Sequence, residues 1–195
     1  MPTGVAIRDP RQQLFDAAER ILLRAGPNAL TSRAVTAEAG CAKGVLHRHF
    51  ADFDAFLAEL VLDRIRRLAD LEAALGEAAG TGTVAGNLAE ALTDLFDAVA
   101  IAVVGLVITR DELRARLRAA GSSGIPLMTE ASAMLTGYLA AERDLGRVAA
   151  DADVDLLAAT LLGAAHLLFA DREAGPPDAA AVRATVATVV AGAVR

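Results

Sequence analysis

Residues 40–50 read GCAKGVLHRHF and hold the only cysteine of the chain, Cys41, with two of its three histidines, His47 and His49. A cysteine beside two histidines raises a metal site first. A helix advances about 100° per residue, so side chains two apart point to nearly opposite sides and cannot chelate one ion as an i,i+4 pair does. No second cysteine pair supports Cys41, and a metal site is excluded on spacing. The same wheel sorts the stretch into two faces. Leu46 and Phe50 share one side, with Ala42 a turn earlier, while Lys43, Gly44, His47 and Arg48 gather on the other. Such a helix is apolar inward and rich in hydrogen-bond donors outward. Gly44 inside a helix costs about 1 kcal/mol relative to alanine. Close approach of the backbone to a phosphate or a base edge is a use that compensates.

Upstream, Leu14, Phe15, Ala18, Ile21, Leu22 and Ala25 recur on one face of a first helix, which AGPN at 25–28 stops. Thr31 caps a short second helix, SRAVTAEA, which breaks at Gly40. The third runs from about Ala42 to Phe50. A helix, a tight glycine turn and a short second helix with outward donors is the helix-turn-helix layout, whose second helix enters the major groove of DNA. Downstream, ADFD introduces a long helix with Phe53, Phe56, Leu57, Leu60, Val61, Leu68, Leu71 and Leu75 on its buried side. The chain loosens through GEAAGTGTVAG, and four or five more helices are expected after it. GSSGIP at 121–126 puts Pro126 at a helix start, and EAGPPD at 173–178 precedes the last helix. No repeat is evident, and only the first eight or so residues read as a tail. Strand signals are almost absent. The 54% hydrophobic composition with only 4% aromatics suits closely packed Ala, Leu and Val helices. The expected fold is all-α, with domains at 9–54 and 55–195.

A net charge of −6 argues at first against a nucleic-acid partner. Residues 1–50, however, carry seven basic against four acidic side chains, a net of +3, which leaves −9 for the remainder. That asymmetry fits a basic module on an acidic body. The uncharged runs at 98–109, 156–170 and 184–194 all fall short of the roughly 18–20 residues that span a bilayer. With no apolar leader and a single cysteine, a soluble cytoplasmic protein is expected, with no membrane partner.

Residues 31–50, TSRAVTAEAGCAKGVLHRHF, together with the preceding QQLFDAAERILLRAG, resemble the N-terminal signature of TetR-type transcriptional regulators. The resemblance covers about residues 11–60. It rests on Thr31 opening the second helix, Ala39-Gly40 at the turn, Lys43-Gly44, and Leu46 through Phe50. Four positions depart from the family pattern: His47 stands for a tyrosine, Ala42 for a serine or threonine, Thr36 for a smaller residue, and Phe53 for a lysine that commonly meets phosphate. With the chemistry of DNA, the resemblance implies that Thr31, Lys43 and His47 position phosphates. Arg33, Gly44, Val45 and Arg48 are placed to read base edges; Ser32 and His49 complete the expected DNA face. An imidazole at position 47 further implies binding that strengthens toward pH 6.

Beyond about residue 55 there is no nucleophile, acid–base or phosphate-loop constellation, so the chain is not expected to be an enzyme and needs no cofactor. DELRARLRAAG at 111–121 reads as a solvated helical face. Two apolar stripes occupy the last helices, about 154–170 and 178–194: Leu157, Leu161, Ala164, Ala165 and Leu168, and Val182, Val186, Val189, Val190 and Val194. Packing within one chain would account for both. The family resemblance implies instead a homodimer through these two helices. It also implies an effector cavity bounded by helices at about 84–109 and 126–143. Asp97, Thr109, Arg110, Ser132, Tyr138 and His166 are its candidate polar groups and Met128 and Met134 its adaptable walls; each is equally compatible with ordinary surface or core. Phe53 and Phe56 are the expected mechanical link to the DNA module. The resulting expectation is a repressor that leaves double-stranded operator DNA on binding a small, mostly apolar effector. The rival is a helical small-molecule-binding protein with little DNA affinity.

Overall fold

The computed structural model describes residues 9–170 and 175–194; residues 1–8, residues 171–174 with the start of EAGPPD, and residue 195 lie outside them. Among the described residues the chain forms ten α-helices, a 3₁₀ turn at Pro27–Ala29 and one isolated bridge, Val148 to Val194. The helices are α1 (Pro10–Ala25), α2 (Ser32–Glu38), α3 (Gly44–His49), α4 (Phe53–Glu77), α5 (Val84–Leu95), α6 (Ala98–Thr109), α7 (Asp111–Ala119), α8 (Met128–Asp144), α9 (Val154–Phe169) and α10 (Ala179–Val190). The fold is all-helical, as the periodicity predicts.

Short polar side chains set most of the starts. Asp9 accepts from the Arg11 and Gln12 N–H groups, with Pro10 opening α1. Thr31, Asp52, Thr83, Asp97, Asp153 and Asp178 each accept a backbone N–H two or three residues into the following helix. A cap of this kind is worth about 1 kcal/mol. Gly26 ends α1 at φ 75°, and the chain turns away, so Ala25 is exposed rather than part of the buried face. Gly40 ends α2 at φ 65°. There the Cys41 N–H donates to the Thr36 carbonyl and the Gly40 N–H to that of Ala37, a Schellman turn.

Two expectations about α3 change. The helix begins at Gly44, not Ala42, and Ala42 is exposed in the turn before it. Gly44 is therefore the first helical residue and escapes the interior penalty.

Six helices, not four or five, follow α4. The segment expected at about 84–109 breaks at Phe96, and its halves meet at 64°. Residues 111–119 form a separate helix, and their face is only half solvated: Leu113 and Leu117 are fully buried, and the helix packs on α4. Pro126 precedes α8 by two residues, with Leu127 between them at φ 72°.

The core falls into two clusters. One joins α1, α2, α3 and the first half of α4 to α6 and α7; the other joins the end of α4 to α5, α8, α9 and α10. Apolar packing therefore runs across residue 54, because Phe56, Leu57, Leu60 and Val61 belong to the first cluster. The expected dimer stripes are drawn largely into the second: Leu161, Ala165, Val182, Val186 and Val190 are buried within the chain. The free faces lie on the other sides of the same helices. On α9 they carry Leu156 and Leu167, 64% and 78% exposed, with Ala159, Thr160 and Gly163 between. On α10 they carry Ala180, Ala184, Ala187 and Ala191. Among the described residues, no single helix is long and apolar enough to cross a membrane.

Candidate nucleic-acid interface

The outward side of α3 is set by what lies beneath it. Leu46 is fully buried and Phe50 nearly so. Phe50 meets Phe56 edge-on at 5.1 Å, and Phe15 lies 5.8 Å from Phe50 and 5.7 Å from Phe56. Four of the six phenylalanines thus form one cushion, since Phe53 stacks on Phe56 at 5.7 Å. Arg11 covers the Phe50 ring at 4.6 Å and donates to Glu59 at 2.9 Å. Thr36 is buried where α2 meets α3, and its hydroxyl is satisfied by the Ser32 and Arg33 carbonyls.

With Leu46 and Phe50 held down, Lys43, Gly44, His47 and Arg48 are exposed. Thr31 and Arg33 at the start of α2 are exposed as well, and Val45 is half-buried. Other cations of the N-terminal module are occupied: Arg20 and Arg24 both bind Glu38, at 2.9 and 2.8 Å, and hold its carboxyl below the usual range. Arg33, Lys43 and Arg48 have no ion pair among the described residues. A Cβ placed on Gly44 would meet nothing within 4 Å, so neither backbone nor neighbours demand glycine there. Two expected members of the face stand apart. The Ser32 Oγ is buried without a hydrogen-bond partner, and His49 is half-buried, its carbonyl accepting from Arg11.

Helix α7 ties this module to the body. Arg116 donates to Asp52 Oδ2 at 2.8 Å, and the Ala55 N–H together with Arg116 holds Asp52 below the usual carboxylate range. Arg110 lies 3.6 Å from Asp54, donates to the Leu30 carbonyl and sits 5.8 Å over the Phe53 ring. Arg110 is thus a junction residue rather than a cavity residue. Arg116 and Asp52 were not among the candidates. Asp52 is legible as a helix cap, but nothing local pairs it with a side chain 64 positions away.

The remaining effector candidates do not converge on one cavity. Thr109 bonds back to the Gly105 and Leu106 carbonyls at the end of α6. Met128 and Ser132 line a wide groove of about 750 Å³ between α8 and α9. Met134 is buried in the second core cluster. Tyr138 donates to Glu142 Oε1 at 2.6 Å and accepts from Asn87 at 2.9 Å. Burial and the Glu142 carboxylate hold its hydroxyl well above the usual phenol range. Glu142, absent from the candidates, is fully buried and sits 3.3 Å from Arg147. These groups fasten α8 to the 80–87 turn. His166 lies 6.0 Å from the Phe96 ring, its Nδ1 buried and unpartnered. Asp97 lines a cavity of about 200 Å³ between α4 and the α5–α6 break.

Residues 14–60 match the sequence model described as "Bacterial regulatory proteins, tetR family". No curated protein sequence matches the chain. Among solved structures, FadR from Bacillus halodurans, a fatty acid degradation regulator, superposes with a TM-score of 0.74 at 16% identity, over 96% of this chain and 98% of that one. A TetR-family regulator from Agrobacterium tumefaciens gives 0.73 at 15% identity, over 95% and 98%. FadR from Bacillus subtilis, solved with stearoyl-CoA, gives 0.71 at 18% identity, over 93% and 98%. Residues 14–60 are thus similar to the tetR family of bacterial regulatory proteins, and the chain as a whole shares its all-helical fold with these solved regulators.

Proposed function

We propose that the protein is a homodimeric, ligand-responsive repressor that reads operator DNA with α3 and leaves it on binding a small, mostly apolar effector. Residues 9–54 act as the DNA-binding domain, and residues 55–195 bind the effector and dimerise. The observation that carries the reading is the exposure of Arg33, Lys43 and Arg48 with no ion pair among the described residues, together with a glycine at 44 that the fold does not require. Thr31, Lys43 and His47 position phosphates, and Arg33, Gly44, Val45 and Arg48 face base edges. Ser32 joins them only if its hydroxyl rotates outward, and His49 serves the flank.

The dimer forms through α9 and α10, by the faces bearing Leu156, Leu167 and the alanine row of α10. Small residues there let helices approach closely, while exposed leucines have apolar area to bury. A twofold pair sets two α3 helices about 34–36 Å apart, or a multiple of it, on a palindromic site. An apolar portion in the effector is in keeping with the Bacillus subtilis FadR complex with stearoyl-CoA, whose acyl chain is apolar.

The test is selection of bound fragments from a library of the source genome. The reading predicts an inverted repeat with half-site centres about 10–10.5 base pairs apart or a multiple of that. Recovery of fragments without a common sequence contradicts it.

A further inference from the structure

The cavity between α4 and the α5–α6 break has charged groups of both signs in its walls, with two arginines from one helix among them. Leu68, Leu71, Leu95 and Leu127 supply its apolar lining, Arg64 and Arg67 stand on one side, and Asp94 and Asp97 on the other. The two arginines are three apart on α4 and share a face. Arg64 is only 14% exposed, so its guanidinium sits in the wall rather than in bulk water. One of its nitrogens donates to Asp97 Oδ2 at 2.7 Å; the other oxygen of Asp97 caps α6 through the Ala100 N–H.

The second acid serving this pair is Glu19, which belongs to α1 of the DNA-binding module. Its Oε1 lies 3.7 Å from Arg64 and 3.3 Å from Arg67. One oxygen is shared between two guanidiniums, beyond the roughly 2.7–2.9 Å of a charge-assisted hydrogen bond. The short bond of Arg67 goes instead to Asp63 Oδ2, at 2.6 Å. Each guanidinium has five N–H donors, so both keep capacity toward the cavity. Leu127, 5% exposed, closes the wall at φ 72° and is the one non-glycine residue with positive φ among those described. Strain of that kind in a bulky residue concentrates at ligand sites.

We propose that this cavity binds a small anionic amphiphile, an organic acid whose carboxylate takes Arg64 and Arg67 and whose short apolar tail lies against the four leucines. An anion is favoured over a cation because Arg64 is the most sequestered of the charged groups that line the cavity. Asp97 is 44% exposed and Asp94 is exposed at the rim, so both acids are hydrated, whereas a charge held away from water gains more from a second partner. The ligand carboxylate replaces Asp97 on Arg64, and Asp97 turns to solvent. It also draws both arginines from Glu19, which loosens the tie between α4 and α1. That last step rests on the regulatory reading above; the binding itself does not.

The test compares hexanoate with the isosteric hexanamide by NMR chemical-shift titration of the full-length protein without DNA. Hexanoate is expected to bind about tenfold more tightly. Asp97→Asn, which keeps a capping side chain, removes the internal competitor and tightens hexanoate severalfold. Arg64→Gln brings hexanoate down to the level of the amide. Equal affinity for acid and amide in the wild type overturns the proposal, as does weaker hexanoate binding in Asp97→Asn. Because no DNA is present, failure here leaves the repressor reading standing, and failure to bind DNA leaves this result untouched.

Discussion

The outer face of α3 and the polar groups of the body treat hydrogen-bonding capacity in opposite ways. On α3, Lys43 and Arg48 point to solvent with no ion pair among the described residues, over a cushion of phenylalanines. In the body, Tyr138, Glu142, Asn87 and Arg147 bond one another, while Arg110 and Arg116 reach Asp54 and Asp52. Polar groups committed to each other hold helices in place; polar groups left open on a rigid support are available to a partner. The same chain therefore has one helix, α3, whose outward chemistry is unspent and a body whose polar chemistry is mostly structural.

The sharpest way to break this contrast is to remove the support. Phe56→Ala deletes a fully buried ring touching Phe15, Phe50 and Phe53. It should cost about 3–5 kcal/mol in denaturant unfolding. Phe56 was expected to link effector to DNA; its place in the core makes unfolding of the module the dominant result, and a stable, DNA-competent variant would refute the cushion.

Leu167→Glu should convert the proposed dimer to a monomer of 20.1 kDa in sedimentation velocity, with helicity intact; a persistent dimer would move the interface elsewhere. Next in size come the open cations. Arg48→Ala should lose about 1–3 kcal/mol on the selected operator and little on scrambled DNA. Lys43→Ala should weaken both alike and reduce the salt slope by about one. Equal losses for Arg48→Ala on both duplexes would remove it from base reading.

Gly44→Ala sharpens the comparison, because fold and function predict different outcomes. Unfolding free energy should stay within about 0.5 kcal/mol, while DNA affinity falls severalfold. The smallest effect concerns pH. The folded-state pKa of Asp52 lies below its unfolded value near 3.8, so its stabilisation is present above that value and is lost as pH falls through the folded one. Arg116→Ala raises that pKa, and acid unfolding followed by circular dichroism should begin at a higher pH. Glu19, raised by burial, has the opposite sign, favouring the fold as pH falls through its pKa.

The α1–α3 module was legible because its determinants are local. Thr31, Gly40 and the alternation of Leu46 and Phe50 with Lys43, Gly44, His47 and Arg48 lie within one short segment, and helical geometry places them without tertiary information. The inward hydroxyl of Ser32 was not legible, since a serine rotamer leaves no sequence signal. The body was read less well for a physical reason. An apolar stripe on α9 or α10 says that the face is buried but not by what, and Val182, Val186 and Val190 turned out to face their own chain. The break at Phe96 has no glycine or proline to announce it. The Tyr138–Asn87 bond joins residues 51 apart, and such pairings come from packing rather than from pattern.

The central claim is that the open donors of α3 read a DNA sequence. It is tested most directly by fluorescence anisotropy of the wild-type protein with the selected operator and a scrambled duplex, across a salt series. The account predicts a preference of about 10³-fold or more for the operator, with log affinity falling steeply and linearly with log salt. No binding to either duplex by a folded dimer, or equal affinity for both, would contradict it.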